Sequence, residues 1–119
     1  MSLQQLLVDV NLSEIEFPAS RSEAVLTFLN MSDGDGVGSL VCSGLVAFVY
    51  HNFAGGGLPQ YVGEVNCRGV TGGEARSLIA RHGYACGANQ NEPLGELHHV
   101  HIEGDSVIEI MCRDVKLMA

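Results

Sequence analysis

Three of the five histidines fall within four positions, in Leu97-His98-His99-Val100-His101-Ile102-Glu103, and Glu109 and Cys112 follow shortly after. Neutral imidazole, thiolate and carboxylate are the side chains that hold zinc and its neighbours in the first transition row. In an extended chain, side chains alternate between faces. His99 and His101 then share one face, close enough to share an ion, and His98 goes to the other. Glu109 becomes a third ligand if the chain turns back and sets it opposite His101. The candidate metal set is therefore His99, His101 and Glu109, with His98 and Cys112 as a possible pair on the opposite face. The alternative is a solvated polar face carrying a His–Glu cross-strand pair, with a His–Cys contact at the core edge.

Other chemistry finds less purchase. The His-x-His strand of cupins is followed by a carboxylate about four or five residues after the second histidine. Here Glu103 comes two residues after His101 and Glu109 eight, so that pattern is not met. No Cys-x-x-Cys occurs. Cys67-Arg68-Gly69 lies between a strand pattern and a helix pattern, where an activated thiol could sit. A nucleophile elbow needs glycine two residues earlier, and Val65 stands there. The Gly-rich Ala54–Pro59 stretch lacks the Lys and Ser/Thr of a phosphate loop. Asp33-Gly34-Asp35-Gly36 lacks the spaced ligands and closing Glu of an EF-hand. The expectation is no catalytic residue and no cofactor.

The histidines depend on a hairpin. Both arms of Leu97–Met118 are rich in Val and Ile, which suit a pleated surface, and Gly104-Asp105 supplies turn chemistry. A two-residue loop would set His101 opposite Ile108, mixing polar and apolar residues on one face. A three-residue loop, Gly104-Asp105-Ser106, sets Ile102 opposite Ile108, Val100 opposite Ile110 and His98 opposite Cys112. The other face then has His101 opposite Glu109 and His99 opposite Met111. Opposed residues share a face, so the three-residue loop sorts the sides better. Beyond Cys112 the apolar alternation slips to Val115 and Leu117, which predicts a bulge near Arg113-Asp114.

The rest of the chain reads mostly as strand. Leu6, Val8, Val10 and Leu12 alternate with polar residues, and Glu14–Phe17 continues out of phase, so a break is expected near Ser13. Pro18–Ser22 is a turn. Glu23–Asn30 is a strand with Leu26 and Phe28 inward. Met31–Gly38 is an acidic loop. Leu40–Tyr50 is apolar on both sides, with Leu40, Cys42, Val46, Phe48 and Tyr50 on one face and Val41, Leu45, Ala47 and Val49 on the other. It reads as a central strand covered on both faces. Tyr61–Cys67 is another strand. Thr71-Gly72-Gly73-Glu74 has the form of a capping box and predicts one helix near residues 72–82, ended by Gly83. Tyr84–Glu96 is a long loop. Segregated strands with one helix imply a single α+β domain over residues 1–119, with a mainly antiparallel sheet of about six strands. A flattened barrel or a sandwich with a flanking helix fits equally.

Composition sets limits on function. At 119 residues the chain can bury roughly two-thirds of its unfolded surface without a staple. Charged residues are only 17%, against about 25% in typical domains, which favours self-association or a protein partner. The net charge of −8 argues against nucleic acid, whose binding rests on Lys and Arg, and against anionic membranes. It suits a basic protein partner. Cys42, Cys67, Cys86 and Cys112 are widely spaced and no secretory signal precedes them, so reduced thiols and a cytoplasmic location are expected.

The layout resembles small bacterial immunity-type proteins of polymorphic toxin systems and related uncharacterised strand-rich proteins. The matching residues are Leu12-Ser13-Glu14-Ile15, Ser43-Gly44-Leu45-Val46-Ala47-Phe48 and Val107–Leu117. The resemblance implies a non-catalytic cytoplasmic binding protein that occludes a toxin, and it assigns no site residue. Function is thus expected to be binding of a protein partner, in one case a basic toxin domain. The alternative is a small metal-binding protein or metal-dependent enzyme using the hairpin histidines.

Overall fold

A computed structural model describes residues 9–18, 22–52, 55–71, 73, 74, 77 and 96–118. Six strands follow in chain order: β1 (Val10–Glu16), β2 (Glu23–Asn30), β3 (Gly36–Asn52), β4 (Gln60–Val70), β5 (Leu97–Gly104) and β6 (Ser106–Met118). They pair antiparallel throughout and close into a barrel in the order β1-β2-β3-β6-β5-β4. Closure comes where Val10, Asn11 and Leu12 of β1 pair with Val62, Tyr61 and Gln60 of β4.

This overturns the α+β class. The antiparallel sheet of six strands is present, but its inner face is covered by its own opposite wall and needs no helical layer. The described residues include no helix as an element. Thr71 Oγ1 does accept from the Glu74 backbone N–H at 3.2 Å, as a capping residue would, and Gly73, Glu74 and Ser77 are locally helical. The remainder of the helix expected over 72–82 lies outside the described residues, as does nearly all of the Tyr84–Glu96 loop. Closure also removes the open sheet edges that a docking module would offer.

The hairpin of β5 and β6 has the three-residue-loop register. Ile102 faces Ile108, Val100 faces Ile110, His98 faces Cys112, His99 faces Met111 and His101 faces Glu109. Its tip is anchored to β4, where the Asp105 backbone N–H donates to the Tyr61 carbonyl at 3.0 Å and Asp105 Oδ2 accepts from the Tyr61 N–H at 3.1 Å. Gly104 passes so close to β4 that a Cβ there would stand 2.1 Å from the Tyr61 carbonyl oxygen.

The barrel interior is filled by Val10, Leu12, Leu26, Phe28, Leu40, Cys42, Val62, Val65, Val100, Ile102, Ile108, Ile110 and Cys112, with Ala24. Leu26 and Phe28 point inward as expected, and the break in β1 falls between Leu12 and Glu14. One end of the interior is polar. Tyr50 and Ser106 hydroxyls donate to Gln60 Oε1 at 2.8 and 2.6 Å, and Gln60 Nε2 donates to the Gly56 carbonyl at 3.1 Å. Buried polar groups are stable when so paired.

A second, smaller cluster lies outside the barrel wall, where Val46 and Ala47 pack on buried Val70, Leu97 and Met111. The face assignment within β3 needs correction here. Leu45 packs on the interior and Val46 on the outer cluster, the reverse of simple alternation. Gly44 takes φ +66°, a conformation glycine adopts at little cost. Pairing is then interrupted between Leu45 and Ala47. Across from Gly44 the inward positions of β6 shift from Cys112 to Val115, but the bulge expected near Arg113-Asp114 is not found: the register break lies in β3, between Leu45 and Ala47.

Candidate functional site

The outer face of β5 carries His99 and His101, and β6 brings Glu109 opposite His101. All three predicted site residues converge. One ligand atom from each of His99, His101 and Glu109 lies within 4.8 Å of the others. His101 Nδ1 is 2.8 Å from Glu109 Oε1, and His99 Nε2 is 3.3 Å from the same oxygen. The two imidazole rings stand 6.4 Å apart, nearly edge to face.

Burial grades the three groups. His99 is 8% exposed. The Glu109 and His101 side chains are 15% and 29% exposed. His99 Nε2 is buried, and its polar neighbour is Glu109 Oε1 at 3.3 Å. Burial pushes the His99 imidazole below its ordinary value of 6.5; Glu109 opposes this, and the positive charge of Arg68 adds to it. The neutral ring is therefore favoured near pH 7, with a ring nitrogen close to a carboxylate oxygen. In the tautomer that leaves Nε2 unprotonated, that nitrogen and the carboxylate oxygen are both electron-pair donors, and a cation between them relieves the pair.

The second ring nitrogen of His101 also has a neighbour. His101 Nε2 lies 3.9 Å from Glu103 Oε2. Glu103 thus stands on the far side of the ring from Glu109, where outer carboxylates commonly lie around metal-binding imidazoles.

β4 supplies the rim of the site. Asn66 pairs with His101 and Arg68 with His99. Asn66, Cys67, Arg68, His99 and His101 line a depression of about 350 Å³. The Asn66 amide donates to Glu64, and Arg68 Nη1 lies 3.3 Å from Glu74 Oε2 in an exposed ion pair. The sequence did not place Asn66 and Arg68 beside the histidines, because the pairing of β4 with β5 joins segments separated by the whole 71–96 stretch and leaves no local signal.

The other candidates separate. His98 is opposite Cys112, but the Cys112 thiol meets Cys42 and the Asp114 backbone N–H instead. Cys42 and Cys112 are fully buried, and Cys112 together with burial pushes the Cys42 thiol far up. Cys67 is half-buried, and burial followed by Cys112 raises its thiol too. A raised thiol is a poor nucleophile at neutral pH. The Asp33 carboxylate accepts from the Asp35 backbone N–H at 2.9 Å, the local turn bonding expected of Asp-Gly sequences.

A protein-family model described as "-like:-like" matches residues 5–119. The chain belongs to that family. No curated protein matches it. Among solved structures it is similar to an uncharacterized protein from Neisseria gonorrhoeae, with a TM-score of 0.52 and 15% identity over 92% of this chain and 90% of that one. At that identity the likeness concerns the fold. These relationships support an uncharacterised strand-rich family, and neither carries the toxin-neutralising reading. Among the described residues no helix is long and apolar enough to cross a membrane.

Proposed function

We propose that this barrel binds a divalent transition-metal ion through His99, His101 and Glu109. The observation that carries the reading is the convergence of two imidazole nitrogens on one carboxylate oxygen, at 3.3 and 2.8 Å. Zn–N and Zn–O bonds of about 2.0–2.2 Å in a tetrahedral site put neighbouring ligand atoms roughly 3.3–3.5 Å apart. The His99–Glu109 separation already matches, and the His101–Glu109 contact has only to open slightly. Two histidines and one carboxylate suit zinc or iron(II) and leave coordination positions for an outside ligand.

Binding costs little reorganisation at His99, whose ring is already disposed to be neutral. Metal ligands must be unprotonated, so affinity falls on acidification. The test is metal analysis of protein purified without a polyhistidine tag, followed by calorimetric titration with Zn²⁺. About one ion per chain is expected, with the heat lost in His99→Ala. Metal-free protein that gives no heat with Zn²⁺, Fe²⁺ or Ni²⁺ overturns the reading.

A second reading is a binding module for a basic protein, of which a toxin domain is the case implied by the sequence resemblance. It is supported by the net charge of −8, which steers association with a positive partner. Salt-sensitive capture of a partner encoded beside this chain supports it; failure to capture one at low ionic strength removes it.

A further inference from the structure

The depression beside the three donors has its own chemistry. We propose that the ion held by His99, His101 and Glu109 takes a small oxyanion, a carboxylate or phosphate group, as an outside ligand gripped by Arg68. This rests on the metal reading above.

Three protein donors leave a tetrahedral ion one position short and a larger coordination sphere more than one. The side toward Asn66, Arg68, His99 and His101 opens into a depression of about 350 Å³, large enough for a ligand of several heavy atoms. On the other side of β5, Glu109 and Met111 of β6 stand opposite His101 and His99. The strand register puts Arg68 directly across from His99. A guanidinium next to an ion with a vacant position is suited to an oxyanion that bridges the two, because its planar fork matches carboxylate and phosphate oxygens.

Charge balance is consistent with one bound anion. The divalent ion keeps one positive charge after Glu109 neutralises the other. Arg68 shares an exposed ion pair with Glu74, both side chains more than half exposed. Exposed pairs of this kind hold weakly, so Arg68 can turn to an ion-bound ligand at small cost. Glu64 and Glu103 flank the site; Glu64 is held by Asn66 and Glu103 faces His101 Nε2. Their charge limits the anion to small, compact groups that reach the ion directly.

The experiment uses the whole chain loaded with Co²⁺, whose visible absorption reports its ligands. Acetate and inorganic phosphate are titrated separately, which distinguishes a carboxylate from a phosphate source. Saturable spectral change with either anion is expected, weakened about tenfold or more in Arg68→Gln. The variant still loads Co²⁺, and its unchanged melting curve shows that it folds. Failure to bind Co²⁺ at all defeats the metal reading itself. Normal Co²⁺ loading with no response to either anion defeats this inference alone. An anion response equal in Arg68→Gln and the unaltered protein also defeats it, since the ion would then act without the guanidinium.

Discussion

His101 Nδ1 lies 2.8 Å from Glu109 Oε1 across the β5–β6 pair, and that single oxygen also sits 3.3 Å from His99 Nε2. One carboxylate oxygen therefore serves two imidazoles that stand two residues apart on the same strand face. The arrangement follows from the pleat: β5 turns His99 and His101 the same way, and the three-residue loop brings Glu109 alongside.

Glu109 works against burial at His99 by favouring its charged form. In metal-free Glu109→Gln that support is lost, so the His99 pKa falls further below 6.5. Proton NMR titration of the imidazole ring measures this directly. A rise on substitution would mean that the carboxylate does not face the ring.

His99 also links stability to pH. Its folded pKa is depressed, so on acidification the unfolded chain takes up the proton first. Its contribution is level above the ordinary value of 6.5 and turns unfavourable as pH falls through that value, levelling off below the folded pKa. Urea unfolding of metal-free protein should show the free energy dropping over that window. The His99→Gln variant should show a shallower drop, and an equal slope would assign the effect to other groups.

Two glycines in the same β4–β5 pair should behave oppositely. A Cβ at Gly104 would meet the Tyr61 carbonyl oxygen at 2.1 Å and Val62 Cα at 2.8 Å, both backbone atoms that cannot swing aside. Gly104→Ala should cost about 2 kcal/mol or more, in the range of overpacked sites. Nothing lies within 4 Å of the position at Gly69, so Gly69→Ala should change stability by less than about 0.5 kcal/mol, as surface changes do. Denaturant midpoints of the two variants decide the matter.

Cys67 should be a slow thiol. Burial and the neighbouring Cys112 raise its pKa from the ordinary value of 9.0, and only the thiolate attacks. Iodoacetamide at pH 7 should label Cys67 more slowly in native protein than in urea-unfolded protein. Native labelling as fast as that of the unfolded chain would restore it as a candidate nucleophile.

Local pattern was enough for much of this protein. The hairpin register was legible because only a three-residue loop puts Ile102, Val100, Ile108 and Ile110 on one face. The break at Ser13 was legible because the apolar alternation changes phase there. Leu45 and Val46 were misassigned because one glycine at φ +66° inverts the faces without altering the apolar pattern. The single-helix α+β class failed because period and capping report local conformation, whereas the covering of a sheet depends on whether its ends meet.

The amino-acid order by itself therefore located the strands, although Gly36–Gly38, read as loop, belongs to β3 and Cys67-Arg68-Gly69, read as a junction, lies within β4. It also set His99 and His101 on one face, by the period of two, and favoured Glu109 across from His101, because the three-residue loop sorts apolar from polar better than the two-residue one. Only the tertiary structure decided that Val10–Leu12 would meet Gln60–Val62 and close the barrel, and that Arg68 would lie beside His99. Those pairings join segments far apart in the chain. They are fixed by the fit of whole sheet walls around a shared core, which no short stretch of sequence encodes.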